Sequence, residues 1–413
     1  MSIGTGLTYT LLFISLYFEV FMLVAFLGRK FERKAGRVGL MSRLDEARTH
    51  SVAVIVPCFN EERSLKGTLE SLLALDYPKD KVEILVVDDG STDATLTLAR
   101  TFESGDRVRV FSKEHGGKHA AMNFALRHTQ AELISCLDAD SVVDTQALRR
   151  IVPVFADRRV AAVTPGIHVK EPRTLLQHLQ KVEYRLSLFS RFMLAALGSA
   201  FITPGPFSVF RTSVARELGG WRHGHSTEDM EMALRIQRAG HLIANAPQAV
   251  VHTATPSGLR GLFRQRVRWT YGWLRNAVDY RSMIGNRKFG NLGLVILPSA
   301  LVSIITAVYF FVRILWNAAQ ELIREIARVQ LTGTLPYPSF DLFYVDTSAL
   351  WFLVVISVGL ILVLISAGSS IGTGSRRLPA GTPLFILFYC FLAPLWLSTA
   401  LVRATFKTGV RWK

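Results

Sequence analysis

The chain reads as an α/β domain with a mixed, mainly parallel sheet, joined to an α-helical transmembrane bundle and flanked by amphipathic helices at the membrane face. Three observations predict this. Half of the 413 residues are hydrophobic and only 19% are charged, with a mean hydropathy of +0.28, too apolar for disorder and high for a soluble chain. Long apolar runs occur near the two ends, and none occurs between Asp45 and Tyr280. Within that middle stretch, short β-branched runs alternate with helical patterns, which implies parallel βαβ units with right-handed crossovers.

Each element follows in order. Leu7 to Leu27 carries Glu19 as its one charge and is long enough to cross a core of roughly 30 Å. No basic segment precedes it and no small-residue cleavage site follows, so it reads as an anchor and not a signal peptide. Arg29, Lys30, Arg33, Lys34 and Arg37 then place its C-terminal end in the cytoplasm. The first segment is therefore 1–44. A cytosolic domain spans 45–255. In it, 52–57 (VAVIVP) and 82–87 (VEILVV) are strands separated by a helical pattern from Glu61 to Leu75, and Glu132 to Leu137 is a third strand after the helical segment Lys118 to His128. An amphipathic interface helix is expected at about 175–197, and a second within 256–290, where Arg and aromatic residues take opposite sides.

The region 291–413 is expected to hold spans at 292–312, 349–367 and 384–402, the last with a kink at Pro394. Arg275, Arg281, Arg287, Lys288, Arg376 and Arg377 fit cytosolic loops. Three such spans put Arg403, Lys407, Arg411 and Lys413 outside, against the positive-inside rule. Either one apolar run does not span, or the tail is an exception. Trp316 to Thr347 reads as a long loop containing a short helix, NAAQELIREIARVQ, and Gly368 to Pro383 as a flexible connection. Glu19 reads as a hydrogen-bonded bundle residue and Arg313 as a snorkelling one.

Charge and cysteine usage exclude several function classes. Lys+Arg 48 against Asp+Glu 32 gives 48 − 32 = +16. The basic residues gather at span boundaries and interface helices, not in a stripe interleaved with base-stacking aromatics, so anionic lipid headgroups explain them better than nucleic acid. Cys58, Cys136 and Cys390 form neither a disulfide framework nor a zinc-binding spacing. GxxxxGK[ST] and GxGxxG are both absent, which argues against a phosphate-loop nucleotidase and a dinucleotide-binding domain.

In parallel sheets, ligands bind beyond the carboxyl ends of the strands. Asn60 and Glu61, Asp88 and Asp89, and Asp138 and Asp140 fall there. Carboxylates gathered at one edge raise each other's pKa unless something positive neutralises them. Asp138 and Asp140, alternate residues of an extended segment, suit a hard divalent metal that also holds phosphate oxygens. Thr227-Glu228-Asp229 opens a helical run, where a carboxylate can cap the helix or do chemistry. Gln265, Arg268 and Trp269 share one helix face. Arg268 can fork onto a diphosphate, Trp269 offers a flat face to a pyranose, and Arg266 is counted with them. His252 reads either as a core histidine or as a further metal ligand.

VPCFNEE (56–62), VVDDGSTD (86–93), GGKHAAMNFAL (116–126), LDAD (137–140), STED (226–229) and QRVRW (265–269) occur in this order. Together they resemble the membrane-integrated, processive family 2 glycosyltransferases, which include cellulose, hyaluronan, chitin and poly-N-acetylglucosamine synthases. The wording is closest to the last branch. The resemblance implies a GT-A-like nucleotide-sugar domain in a bacterial-type inner or plasma membrane. It implies that Pro57, Glu61 and Asp89 hold the uridine end of a UDP-sugar with Asp88 beside it, Asp89 being favoured because it directly precedes the Gly90-Ser91 turn, and that Lys118 lies near the diphosphate. Asp138 and Asp140 would bind the ribose or sugar and a Mg²⁺ or Mn²⁺ ion, Asp140 more directly on the metal. Asp229, with Glu228 beside it, would be the catalytic base. Gln265, Arg266, Arg268, Trp269, Thr203 and Gly205 would serve the acceptor and diphosphate, with Phe201 and Phe207 lining the entrance. The implied activity is inverting, processive extension of a β-linked polysaccharide from a UDP-sugar, UDP-N-acetylglucosamine for this branch, with translocation of the product and room for an accessory export subunit. The alternatives are a non-processive enzyme that glycosylates a lipid acceptor and an inactive scaffold of an export complex.

Overall fold

The computed structural model describes residues 3–34, 49–105, 107–334 and 349–407. An apolar helix, α1 (Ile3–Lys34), leads into the central domain. There β1 (Val52–Cys58), α2 (Leu65–Leu73), β2 (Val82–Asp88), α3 (Thr95–Arg100), β3 (Val108–Ser112), α4 (Lys118–Arg127) and β4 (Leu133–Cys136) alternate. They are followed by β5 (Ser141–Val143), α5 (Ala147–Ile151), β6 (Val160–Val169), α6 (Leu175–Ala196), β7 (Val209–Arg211), α7 (Thr212–Glu217), α8 (Glu228–Arg238) and β8 (Leu242–Thr253). Last come α9 (Leu259–Asp279), α10 (Leu297–Thr332), α11 (Ala349–Thr373) and α12 (Thr382–Thr405).

The described strands form one sheet in the order β3-β2-β1-β4-β7-β6-β8-β5. β1 runs parallel to β2 and β4, β2 to β3, and β6 to β8. β7 is antiparallel to β4 and β6, and β5 to β8. The sheet is therefore mixed and mainly parallel, as the sequence leads one to expect. β1, β2, β4 and β6 are almost wholly buried because both faces of the sheet are covered there. Val52, Val54 and Val56 of β1 pack with Leu65, Leu69 and Leu72 of α2. Ala53 and Ile55, pointing the other way, pack with Ala121, Met122 and Ala125 of α4.

Four helices are long and apolar enough to cross a membrane: Gly6–Gly28, Leu292–Thr332, Ala349–Thr373 and Thr382–Thr405. Two sequence expectations are corrected here. The short helix expected inside a loop from Trp316 is instead the continuation of α10, which follows a π-helical turn at Leu292–Ile296 and runs unbroken for 36 residues, ~54 Å at about 1.5 Å per residue. Nothing between Val312 and Gly333 breaks it; Glu321 pairs with Arg324 (2.6 Å) and Glu325 with Arg328 (3.5 Å), and Gly333 ends it at φ 67°. Similarly, Gly368 to Thr373 is not loop but the last turns of α11. Gly368 and Gly372 permit close helix approach, since a Cβ on Gly368 would lie 1.9 Å from the Arg185 carbonyl oxygen of α6. Arg37, Arg411 and Lys413, used above for orientation, lie outside the described residues, as does the loop from 335 to 348.

α6 begins with a capping box: Gln177 N–H donates to Thr174 Oγ1 (3.3 Å), and Thr174 N–H donates to Gln177 Oε1 (3.1 Å). α11 packs on α6. α12 lies along α9, with Phe385, Tyr389, Trp396 and Ala400 buried in one cluster with Leu262, Val267 and Tyr271. α1 meets α10 through Thr8 and Tyr309 (2.9 Å), and Arg313 donates to the Gly4 carbonyl oxygen (3.2 Å), a defined contact and not a free snorkelling chain. Glu19 Oε2 is buried without a hydrogen-bond partner, where a hydrogen-bonded residue was expected.

Candidate active site

The residues following the carboxyl ends of β1, β2 and β4 converge, as the βαβ reading requires. Asn60 stands at φ 56° and accepts from Thr92 N–H (2.8 Å), while its own N–H donates to Ser91 Oγ (2.9 Å), tying the two turns together. Glu61 accepts from Ser64 Oγ (2.6 Å) beside an open cleft of about 340 Å³ lined by Asn60, Glu61, Glu62, Arg63 and Asp93. Pro57 lies in β1, opposite Val87 of β2.

Asp88 and Asp89 have different surroundings. The carboxylate of Asp89 accepts from Lys113 Nζ (2.6 Å), Gly117 N–H (2.7 Å) and Gly116 N–H (3.0 Å). It therefore anchors the glycine turn that starts α4 and presents Lys118. Asp88 Oδ2 accepts from Ser91 N–H (3.3 Å), while Oδ1 is buried without a partner. An orphaned buried carboxylate oxygen is costly, and it marks Asp88 as the one with acceptor capacity to spare.

Lys118 joins the two later acidic motifs. Its Nζ pairs with Asp138 Oδ1 and stands 3.4 Å from Glu228 Oε1. Burial opposes its charge, but Asp138, Cys136 and Glu228 outweigh this and hold it well above the ordinary lysine value. Asp138 and Asp140 lie in the turn between β4 and β5 and not in the extended segment expected for them. Burial, then the neighbouring Asp138 charge, pushes Asp140 up to about 6. A bound cation would relieve that penalty. Among the described residues no group of three or more His, Cys, Asp or Glu is arranged to hold a metal, so an ion here would take Asp138 and Asp140 and complete its shell from phosphate oxygens and water, as Mg²⁺ commonly does. His252 joins no such group; its ring stands 5.6 Å from that of His168.

Asp229, in the first turn of α8, is also pushed up to about 6, by burial and then by Glu228. The capping alternative is met in part: Asp229 Oδ1 accepts from Met230 N–H (2.8 Å) in the first turn of α8, while Thr227 Oγ1 donates to the Gly224 carbonyl (2.8 Å) and caps nothing. The loop after α6 closes over this acidic group. Thr203 Oγ1 donates to the Asp229 carbonyl oxygen (2.6 Å), and a Cβ on Gly205 would stand 2.6 Å from Lys118 Nζ and 3.1 Å from Asp138 Oδ2. Phe207 holds φ 61°, an uncommon conformation for a bulky residue, and is fully buried, as is most of Phe201. Both belong to the core instead of lining an entrance.

α9 supplies the other wall. Arg268 Nη1 donates to the Ser226 carbonyl (3.4 Å), next to the acidic turn, and Trp269 is 36% exposed. Arg266 departs from expectation: it is buried and its Nη2 donates to Glu183 Oε2 of α6 (2.5 Å), so it does not face a diphosphate. Sequence reasoning missed Gly272 and Asn276. Asn276 Nδ2 donates to Thr227 Oγ1 (2.9 Å), and a Cβ on Gly272 would meet that oxygen at 2.3 Å. Their position one and two turns after Arg268 was the available signal.

A family model described as "Glycosyltransferase like family 2" matches residues 49–272, more than half of the chain. The poly-beta-1,6-N-acetyl-D-glucosamine synthase of Staphylococcus epidermidis is 28% identical over 316 residues, 76% of this chain and 75% of that one. The synthase of the same name from Staphylococcus aureus (strain COL) is 31% identical over 225 residues, 54% of each chain. Among solved structures, a mannosyltransferase from Pyrobaculum calidifontis in complex with GDP-Man and Mn²⁺ superposes with a TM-score of 0.59 at 22% identity, covering 96% of this chain and 99% of that chain. That likeness concerns the fold, GT-A-like with appended apolar helices.

Proposed function

Because the chain belongs to glycosyltransferase-like family 2, we propose that it transfers N-acetylglucosamine from UDP-N-acetylglucosamine to the end of a growing β-linked polysaccharide. The catalytic domain faces the cytosol and the apolar helices carry the product outward. As a glycosyltransferase it takes a nucleotide-sugar donor and a glycan acceptor. The synthases to which it is 28–31% identical support a polysaccharide product. The observation that carries the reading is the junction at Lys118, where Asp138 of the donor side and Glu228 of the base motif meet one ammonium under the Thr203–Gly205 loop.

Within this reading Asp229 accepts the proton of the acceptor hydroxyl while that oxygen bonds to the anomeric carbon and the bond to the UDP oxygen breaks. Attack opposite the departing UDP inverts the anomeric centre. Lys118 and Arg268 offset the charge that develops on the diphosphate. Asp138 and Asp140 would hold Mg²⁺ or Mn²⁺, which would neutralise phosphate oxygens when bound. Asp88, Glu61 and Pro57 border the space for the uridine, Asp89 fixes the turn that aims Lys118, and Gln265 and Trp269 receive the acceptor sugar. Basic residues at the helix boundaries meet anionic lipid headgroups.

Product sizing tests the claim. Membranes containing the protein, given labelled UDP-N-acetylglucosamine and Mg²⁺ or Mn²⁺, are expected to yield a ladder or polymer. A single labelled sugar on lipid would replace this reading with the glycolipid one.

A further inference from the structure

Glu183 of α6 and Tyr389 of α12 lie outside every motif named above, yet they converge on the helix that carries Trp269. One oxygen of Glu183, Oε2, accepts from Arg266 Nη2 (2.5 Å) and from the Tyr389 hydroxyl (2.7 Å). Arg266 also donates through Nη1 to Gln265 Oε1 (2.8 Å), and its guanidinium carbon stands 4.3 Å from the centre of the Trp269 ring. The side chain of Arg266 is 5% exposed and that of Glu183 27%. Each hydrogen bond to a charged group here is therefore partly or wholly removed from water and orients its partner strongly. A single guanidinium thus fixes the Gln265 amide on one side and the Trp269 ring on the other, and α6 and α12 hold the guanidinium.

We propose that Glu183 and Tyr389 are positioning residues for the acceptor sugar: through Arg266 they set the orientation of Trp269 and Gln265 and make it depend on α12 being seated against α9. The inference rests on the acceptor role proposed above for Trp269. Its consequence is selective. The donor site is built on the loops after β1, β2 and β4 and shares no hydrogen bond with Glu183 or Tyr389, so loosening the network misplaces the acceptor and leaves donor use alone.

Tyr389→Phe and Glu183→Gln are to be compared with Trp269→Ala in detergent-solubilised full-length protein. Two rates are measured: transfer to a short β-linked N-acetylglucosamine oligosaccharide, and hydrolysis of UDP-N-acetylglucosamine by water. Tyr389→Phe is expected to raise the oligosaccharide KM about ten-fold, the equivalent of one hydrogen bond to a charged group, and Glu183→Gln by at least as much. Donor KM and hydrolysis should stay at the wild-type level in both. The double variant should be no worse than Glu183→Gln alone, because both act through one oxygen. If Trp269→Ala raises the oligosaccharide KM and neither network variant does, the inference is overturned. Equal damage to donor KM and acceptor KM would also overturn it, since that is the signature of a merely structural role. If Trp269→Ala itself leaves the oligosaccharide KM unchanged, the acceptor role of Trp269 is what fails. Tyr389→Phe keeps the Glu183–Arg266 pair, so it remains informative should Glu183→Gln fold poorly.

Discussion

Asp229 and Asp140 carry carboxylates in surroundings that disfavour their charge, both standing at about 6 where an ordinary aspartate stands at 3.8. A general base works only when ionised. As pH falls through about 6 Asp229 takes up a proton, whereas the metal that Asp140 would hold keeps that carboxylate ionised, so kcat is expected to drop on the acid side with an apparent midpoint near that value, belonging to the Glu228–Asp229 pair and not to one residue. Asp229→Asn should lower UDP release by on the order of a hundred-fold or more, the range of general-base contributions, with donor binding retained. Undiminished release would move the base elsewhere. Asp140→Ala should abolish the metal dependence of donor binding, measured by titrating UDP with and without Mn²⁺; binding that remained metal-dependent would place the ion at other ligands. At this scale the sequence was informative about type but not about partners. Asp88 and Asp89 are adjacent and chemically identical, and only the fold distinguishes Asp89, occupied by Lys113 and two glycine N–H groups, from Asp88 with its orphaned oxygen. Arg266 and Arg268 are likewise two residues apart, and helical geometry sends one into a buried ion pair and the other toward the acidic turn.

Among elements, α9 and the turn before α8 are joined at a point with no spare room. Gly272 is the contact: a Cβ there would come within 2.9 Å of Thr227 Oγ1, Cγ2 and Cβ. Thr227 is β-branched and held by Asn276, so it has little freedom to move aside. Gly272→Ala is expected to destabilise by about 1–3 kcal/mol, lowering Tm, and to reduce transfer by displacing Asp229 relative to Arg268. Wild-type activity and Tm together would show that the turn can yield. The elements with strong periodicity and clear punctuation were legible. β1, β2, β4, α4 and α6 appear within a residue or two of their expected limits. β6 and β8, apolar stretches without flanking motifs, went unnoticed although β6 is buried throughout. The glycines of α11 looked like loop because composition does not separate a flexible glycine from one that admits a neighbouring backbone. α10 looked shorter because its charged half resembles solvated loop, whereas its ion pairs and lack of breakers let the helix continue.

On the scale of the whole molecule, the excess of positive charge is a statement about orientation. α12 was read as a span, which strands Arg403 and Lys407 on the outer side. It is apolar all round and long enough to cross, yet it lies along α9, starts against His178 of α6, where a Cβ on Gly381 would come within 3.0 Å of the carbonyl oxygen, and carries a basic end that favours the catalytic side. The C-terminal end is therefore expected on the catalytic side. Lys407→Cys in a Cys390→Ser background should react with a membrane-impermeant maleimide only in inside-out vesicles, Cys58 and Cys136 being buried; labelling on intact cells would put α12 across the membrane. By itself the sequence determined the anchor, the βαβ domain, the order of the motifs and the family they resemble, because apolar length, strand periodicity and short motifs are local properties. Which carboxylates meet Lys118, that Arg266 faces Glu183 and Tyr389, and that α12 lies along α9 were decided only by the tertiary structure. Those contacts join residues up to some 200 positions apart, Tyr389 and Glu183 being separated by 206, and no local pattern records which distant side chain will share a buried oxygen.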